Sequence, residues 1–311
     1  MRIGIGIGIS EDGGADGSMT PLLAQFTKAE DAGFDAAWVA NIFSHDAIML
    51  LALAGTVTNK IELGTFVVPT YPRHPAALAQ QALTASAATD GRFTLGIGLS
   101  HKVVIESMFG LDYSKPVRHM REYLSVLNPL LAGEAVRFKG DEYRVAAQIT
   151  VPGATKPPVL VAALGPQMLK LAGRMADGTA TWMGGPKYLA DTAIPAIKAS
   201  AAAAGRPAPR IASGFPVAVT SNIDSARTSA SSVFAVYGQL PSYRAVLDVE
   251  GAVDASSVAI VGTEAEVEKQ IRHLADIGVT DFNANLFPVA DDAAAIQRTY
   301  EFLASLAKKG I

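Results

Sequence analysis

Two kinds of hydrophobic pattern alternate along this chain of 311 residues. Short apolar runs, typical of strands buried on both faces, are each followed by a longer segment whose apolar positions recur at helical spacing. The predicted strands cover residues 2–10, 34–41, 60–70, 92–100, 157–164, 177–183, 210–220 and 280–289. The predicted helices cover residues 20–32, 46–57, 75–90, 115–132, 165–176, 186–204, a region beginning at 224, 263–277 and 291–308.

The repeated strand and helix pattern predicts an α/β protein with a closed (β/α)8 barrel, a TIM barrel. The composition does not change along the chain and no linker interrupts it, so we expect a single domain over residues 1–311. An open parallel sheet with a small second domain is the alternative. Two segments break the pattern: residues 133–157, predicted to be an inserted hairpin, and residues 237–257, predicted to be irregular.

Three glycines in the first strand, Gly4, Gly6 and Gly8, alternate with isoleucines. Their spacing differs from the G-x-G-x-x-G of a dinucleotide loop, and no turn follows at the required place. A period of two is the period of a strand, so one face carries isoleucines and the other carries hydrogen atoms. We therefore expect the glycine face to leave room for larger side chains from neighbouring strands.

Composition and charge narrow the class of protein. Half of the residues are hydrophobic, 18% are charged and the formal net charge is −3, which indicates a globular chain without the basic surface that nucleic acids or anionic membranes attract. Cysteine is absent, which excludes disulfides and thiolate chemistry. The first residues lack the apolar stretch of a signal peptide, and no long apolar segment follows. We expect a cytoplasmic protein that acts on a small molecule.

Few residues are typical of hydrolytic or metal chemistry. The five histidines show no metal-ligand spacing, so we expect no metal site, and G-x-S-x-G is missing. His45 and His101 follow the second and fourth strands, at the end of a barrel where active sites lie, and are candidate acid or base catalysts. His119 and His273 are predicted to be packing or surface residues.

The predicted barrel mouth is apolar and rich in glycine. Trp38 and Trp182 lie at strand ends, and glycines follow the fourth, fifth and sixth strands. Such a pocket suits a large planar cofactor with a phosphate tail better than a small ion. Alternatively, the two tryptophans only cap the barrel core.

Residues 29–41, 61–98, 157–183 and 259–287 resemble the bacterial luciferase-like flavin and deazaflavin oxidoreductases. The resemblance implies a TIM barrel, and residues 177–186 and 261–271 are most similar to members that use coenzyme F420. It implies an F420-dependent oxidoreductase that transfers hydride between the deazaflavin and a small organic substrate, and it implies a homodimer. The alternatives are a monooxygenase that uses flavin mononucleotide (FMN) and a flavin-binding protein without turnover.

The resemblance also implies a set of site residues. It places a non-prolyl cis peptide at Phe66–Val67, behind the cofactor ring. The implied cofactor-binding residues are Asn41, Gly64, Thr65, Phe66, Val67, Gly98, Leu99, Ser100, Ala162, Ala163, Leu164, Gly165, Met168 and Trp182. Many relatives end the second strand with Asp-His, where this chain has Asn41 and Ile42. The acid–base role of that pair is therefore not carried over, and Asn41, His45 and His101 are the candidate catalytic residues.

Overall fold

The computed structural model describes residues 1–8 and 18–311. Its strands are β1 (Arg2–Gly6), β2 (Ala36–Val39), β3 (Glu62–Thr65), β4 (Val68–Pro69), β5 (Phe93–Gly98), β6 (Val136–Lys139), β7 (Arg144–Ala147), β8 (Val159–Ala162), β9 (Gly178–Trp182), β10 (Arg210–Val219), β11 (Ile260–Gly262) and β12 (Asp281–Leu286). Its helices are α1 (Met19–Ala32), α2 (Ala47–Gly55), α3 (Pro75–Ala88), α4 (Lys102–Ser107), α5 (Pro116–Leu131), α6 (Pro166–Met175), α7 (Pro186–Tyr188), α8 (Ile194–Ala203), α9 (Ile223–Val233), α10 (Pro241–Glu250), α11 (Glu264–Ile277) and α12 (Ala295–Lys309).

Parallel strands close into a barrel in the order β1, β2, β3, β5, β8, β9, β10 and β12, and β12 pairs with β1 again. The predicted (β/α)8 barrel is therefore confirmed. Short strands β4 and β11 extend it by pairing with β5 and β10, and β6 and β7 form the predicted antiparallel hairpin. We call the C-terminal end of the barrel strands the mouth and the N-terminal end the floor. No helix in the described part of the chain is both long and apolar enough to cross a membrane.

Local signals set several element ends. The Asp46 carboxylate accepts hydrogen bonds from the backbone of Ile48 and Met49 and so caps the N-terminus of α2. Pro75 begins α3, where a missing N–H costs nothing, and Gly33 ends α1 in the left-handed conformation with φ of 90°. The N-terminal caps of α2 and α3 end the loops after β2 and β4, which lie at the mouth.

The barrel interior is lined mainly by small residues around a few large rings. A Cβ atom added to Gly4 would lie 2.6 Å from Trp38 Nε1, and one added to Gly64 would lie 2.2 Å from the same indole. Trp38 is 1% exposed and packs against Ala36, Leu160, Ala180 and Ala212 in a cluster inside the barrel. The expectation that the glycine face of the first strand makes room for a larger neighbour is confirmed at Gly4.

Ion pairs and hydrogen bonds close the floor. Arg2 Nη1 lies 2.7 Å from Glu62 and 3.2 Å from Asp281, and Arg210 Nη2 lies 2.9 Å and 2.6 Å from the same two carboxylates. Burial alone would lower the pKa of Arg210, but hydrogen bonds and charges of Asp281 and Glu62 raise it above its usual range. The arginines and carboxylates of the floor therefore neutralise one another and form hydrogen bonds with one another.

Some predicted boundaries were wrong. The first strand ends at Gly6 rather than at residue 10, and Ile9 and Ser10 lie outside the described residues. The third predicted strand is two strands, β3 and β4, because a bulge separates them. The predicted helix 186–204 contains a π-helical turn, Leu189–Ala193, between α7 and α8.

Two further elements were missed. The segment predicted to be irregular contains α10, which begins with Pro241 in its first turn and ends at Gly251 in the left-handed conformation. Helix α4 follows β5 directly and is six residues long. Both helices lie near the mouth and add side chains to it.

Candidate active site

A bulge between β3 and β4 forms one wall of the mouth. The peptide bond Phe66–Val67 is cis, as expected from the family resemblance. Thr65 Oγ1 donates a 2.7 Å hydrogen bond to the Gly96 carbonyl and accepts a 2.8 Å bond from the Gly96 N–H, which anchors the bulge to β5. A Cβ atom at Gly98 would lie 2.7 Å from the Val67 side chain. Glycines on β5 therefore allow the bulge to lie flat against the next strand.

Aromatic rings form the base of the mouth. Phe66 meets Trp38 edge to face, with ring centroids 5.5 Å apart. A Cβ atom added to Gly214 would lie 2.8 Å from Trp182 and 3.0 Å from Phe66, so both rings converge above this glycine. Phe66 and Trp182 are partly exposed whereas Trp38 is buried. Trp182 and Phe66 thus contribute to the mouth, and Trp38 belongs to the barrel core.

The loop after β2 is braced by an arginine from another loop. Asn41 Oδ1 accepts hydrogen bonds from the Ala47 N–H at 3.1 Å and from Arg73 Nη2 at 3.2 Å. The same arginine nitrogen lies 2.7 Å from Asp46 Oδ2. Because its oxygen is engaged twice, the polar group that Asn41 keeps for a ligand is the Nδ2 amide, a donor.

Two candidate histidines lie in different environments. His101 follows β5, and its ring centroid is 6.0 Å from that of Tyr243. Burial lowers the pKa of His101, so its imidazole is neutral at pH 7. His45 is exposed, and its Nδ1 lies 3.2 Å from the hydroxyl of Ser44. Only His101 combines partial burial with a position against the mouth aromatics.

The loop after β5 has an unusual backbone. Ser100 has φ of 59°, and Met183, after β9, has φ of 53°, both in the left-handed region that non-glycine residues rarely adopt. The Tyr113 hydroxyl donates to the Ser100 carbonyl at 3.3 Å. Tyr113 also stacks on Tyr71 at 5.2 Å. Aromatic side chains outside the barrel therefore hold the Ser100 loop in place.

His119 belongs to the same aromatic layer. Its ring is parallel to that of Tyr71 at 3.8 Å, its Nε2 lies 2.9 Å from the Thr70 hydroxyl and its Nδ1 lies 3.3 Å from the Tyr143 hydroxyl. Burial lowers the pKa of His119 to about 4, although the carboxylates of Glu142 and Glu122 act in the opposite direction. The prediction that His119 is a packing residue is confirmed.

Helix α6 presents an open N-terminus at the mouth. Its cap residue Gly165 is exposed, makes no side-chain hydrogen bond and has no atom within 4 Å of where a Cβ would lie. Pro166 has no N–H, so the donors of the first turn are the backbone N–H groups of Gln167 and Met168. The Met168 side chain is buried in the core, so only its backbone faces this end. This N-terminus suits a phosphate.

Helix α7 has the opposite arrangement at its N-terminus. Glu250 Oε1 accepts a 2.5 Å hydrogen bond from the Tyr188 N–H, and a Cβ at Gly185 would lie 2.3 Å from the Glu250 carboxyl carbon. The chain's own carboxylate therefore occupies the α7 terminus. Of the two helix ends at this side of the mouth, only that of α6 is open to an external anion.

The structure brings most of the predicted site residues to the mouth. Residues at its wall or base are Phe66, Val67, Gly98, Leu99, Ser100, Ala162, Leu164, Gly165 and Trp182. Ala163 is buried, and Gly64 and Thr65 lie behind the bulge. Within the described ranges, no three His, Cys, Asp or Glu side chains are grouped to hold a metal ion.

Sequence reasoning missed four residues at the mouth: Tyr71, Arg73, Tyr113 and Glu250. Arg73 is separated from Asn41 by 32 positions, so no local pattern connects them. A local signal existed for Glu250, because Pro241 and Gly251 bracket the helix that carries it.

Comparisons with known proteins agree on one family. A family model described as luciferase-like monooxygenase matches residues 1–281. An uncharacterized protein of Mycobacterium tuberculosis is 32% identical over 260 residues, which are 76% of this chain and 75% of that protein. A putative coenzyme F420-dependent oxidoreductase of the same organism is 34% identical over 164 residues, 48% of this chain and 47% of that protein. A coenzyme F420 dependent tetrahydromethanopterin reductase from Methanopyrus kandleri has a similar structure, with a TM-score of 0.79, 23% identity and 97% of each chain covered.

Proposed function

The chain belongs to the luciferase-like monooxygenase family, and from that premise we propose that it is a coenzyme F420-dependent oxidoreductase. In this proposal hydride passes between the deazaflavin and a small organic substrate. The F420-dependent oxidoreductase among its relatives supports the choice of cofactor. Coenzyme F420 supplies the hydride chemistry when bound, and the protein supplies binding, orientation and electrostatics.

The observation that carries the proposal is the pairing of a flat apolar wall with an open anion site at one mouth. The wall is the Phe66–Val67 bulge, which lies against Gly98, and the anion site is the N-terminus of α6 at Gly165. A planar ring with a phosphate tail requires both features together. Val67 and Gly98 would contact the ring, and the backbone N–H groups of Gln167 and Met168 would bind the phosphate.

The side chains near the proposed ring position act as hydrogen-bonding groups rather than as strong acids. Arg73 and Ala47 engage the Asn41 oxygen, so Asn41 donates through Nδ2. His101 is neutral at pH 7 because burial lowers its pKa, and it accepts a proton more readily than it donates one. A proton needed by the substrate therefore comes from water or from the substrate itself.

We also propose a homodimer formed through α2. Met49 and Leu53 on α2, and Val57 just beyond its C-terminus, follow at intervals of four residues and are 67%, 43% and 41% exposed. Apolar side chains on one exposed helical face favour burial against a partner. Analytical ultracentrifugation tests this: we expect twice the chain mass for the unchanged protein and the monomer mass for Leu53→Glu.

Cofactor titration tests the proposed activity. We expect F420 to bind with a dissociation constant of about micromolar order, and reduced F420 to be reoxidised when an acceptor is present. Binding of FMN without binding of F420 would replace the proposal with an FMN-dependent monooxygenase. Reduced cofactor that stayed bound for hours with a panel of acceptors, none of them consumed, would favour a binding protein without turnover.

A further inference from the structure

Among the buried polar atoms without a hydrogen-bond partner within the described residues, three belong to inward-facing side chains of β2 and β12. They are Trp38 Nε1, Asn283 Oδ1 and Asn285 Oδ1. Trp38 is 1% exposed and each asparagine is 2% exposed, so bulk solvent does not reach them. Leaving one such atom unbonded costs about 1–3 kcal/mol, and three together call for an explanation.

The strand register places these atoms on one inner surface. Asn283 pairs with Gly4 on β1, and a Cβ at Gly4 would lie 2.6 Å from Trp38 Nε1. Paired residues of neighbouring parallel strands point to the same face and lie about 4.8 Å apart. The Asn283 carboxamide and the Trp38 indole nitrogen therefore face the same small space beside Gly4. Asn285 lies two residues further along, on the same face of β12.

Residues 1–8 and 18–311 offer these atoms no hydrogen-bond partner. Asp281 precedes Asn283 on the same face, and its carboxylate is fully used by Arg2, Arg210 and Thr280 at the floor. On the other side of Asn283, its register partner on β10 is Gly214, over which the carbon atoms of Phe66 and Trp182 lie. On both sides of Asn283, the neighbouring strands therefore present glycines and aromatic carbons rather than hydrogen-bond donors.

We propose that Trp38, Asn283 and Asn285 hold a buried water molecule inside the barrel. The three atoms comprise one donor and two acceptors. A water molecule accepts from Trp38 Nε1–H and donates its two hydrogens to Asn283 Oδ1 and Asn285 Oδ1, which gives the three hydrogen bonds typical of internal water.

This water site does not depend on the proposed cofactor. The groups that form it belong to β2 and β12, and none of them is among the residues proposed to contact the ring or the phosphate. Experiments on the protein without any cofactor therefore test the site, and their failure would leave the proposed oxidoreductase activity untouched.

Nuclear magnetic resonance provides a direct measurement because the chain contains only two tryptophans. Two indole N–H signals are expected, and Trp38→Phe identifies the one from Trp38. We expect that signal to show a nuclear Overhauser effect to long-lived water, and we expect the effect to disappear in Asn283→Leu. Asn128→Leu is the control, because Asn128 bonds the Met175 carbonyl outside the barrel interior and its loss leaves the Trp38 signal unchanged.

Thermal unfolding and crystallography can each support or overturn the proposed water site. Loss of a water-bonded amide lowers the melting temperature of Asn283→Leu by about 2–4 °C, whereas removal of an unbonded amide raises it. If Asn283→Leu does not fold, a crystal structure of the unchanged protein decides: density about 3 Å from all three atoms supports the site. A dry interior in that structure, or a higher melting temperature for Asn283→Leu, would overturn the proposal.

Discussion

The floor and the mouth of this barrel contain polar groups of the same kinds but use them differently. At the floor, Arg2, Glu62, Arg210 and Asp281 bond one another within 3.2 Å. A hollow of about 240 Å³ lies at this end, but Arg2 and Arg92, two of the cations that line it, are bonded to protein groups. At the mouth, the α6 N-terminus and the Nδ2 amide of Asn41 keep donors for a ligand. The comparison indicates that the floor stabilises the fold, whereas the mouth is suited to bind a ligand.

The largest effect should come from breaking the floor network. Asp281 is 3% exposed, so Asp281→Ala removes one of the two carboxylates that both arginines share and leaves Glu62 alone to pair with them. We expect a loss of about 3–5 kcal/mol in the free energy of unfolding, measured by urea denaturation. Cofactor affinity of the folded fraction should not change, because the floor is at the opposite end. A loss of affinity with unchanged stability would contradict the division between the two ends.

Acidification should weaken the aromatic layer that supports the mouth. The folded-state pKa of His119 is about 4, below the unfolded value of 6.5. The unfolded chain therefore binds the proton more readily, and stability is lost as the pH falls from about 6.5 towards 4. At pH 5, protonation of His119 in the unfolded chain lowers the free energy of unfolding by about 2 kcal/mol relative to neutral pH. Urea denaturation at pH 7.5 and pH 5 measures it, and His119→Gln should show a correspondingly smaller pH dependence; equal dependence in both proteins would argue against it.

A charged substitution at the N-terminus of α6 should change cofactor affinity rather than protein stability. Gly165→Asp places a carboxylate where the phosphate is proposed to bind, and aspartate at this extended cap position also stabilises the helix. We expect about tenfold weaker F420 binding, or about 1.4 kcal/mol, with an unchanged or higher melting temperature. Gly165→Ser, which caps without a charge, is the control and should bind more tightly than Gly165→Asp. Equal affinity in both variants would exclude this helix as the tail site.

The ion pair at the mouth should contribute least to folding. The Asp46 side chain is 30% exposed and also caps α2, so Arg73→Met leaves it solvated rather than buried. We expect a stability loss of about 1 kcal/mol in urea denaturation, well below that of Asp281→Ala. Without Arg73, the Asn41 oxygen keeps only the hydrogen bond from the Ala47 N–H, so the amide is less firmly oriented and we expect weaker ligand binding. A loss as large as that at the floor would remove the distinction between the two ion pairs.

The sequence predicted the barrel because hydrophobic period is a local property that each strand and helix carries separately. It also predicted that Gly4 makes room for a larger neighbour, because the alternation of glycine and isoleucine shows which residues share one face of the strand. The hydrophobic pattern did not predict the break between β3 and β4, which depends on bonds from Thr65 to Gly96, 31 residues away. Only the family resemblance implied a bulge at Phe66–Val67. Arg73 and Tyr71 were missed for the same reason: their positions are set by contacts between loops that only the closed barrel brings together. Glu250 was missed although Pro241 and Gly251 mark the ends of its helix, because its contact with the α7 N-terminus is not local in the sequence. The roles of the predicted site residues remain predictions.

The fit of Trp38 against Gly4 and Gly64 has a consequence for how this sequence can change. A methyl group at either glycine would overlap the indole, at 2.6 Å and 2.2 Å. Alanine at position 4 or 64 is therefore accessible only after position 38 has become smaller, and a smaller residue at 38 is disfavoured while both glycines remain because it leaves a cavity. Three positions on three strands are thus expected to covary, and homologous sequences that carry a side chain at 4 or 64 should lack tryptophan at 38.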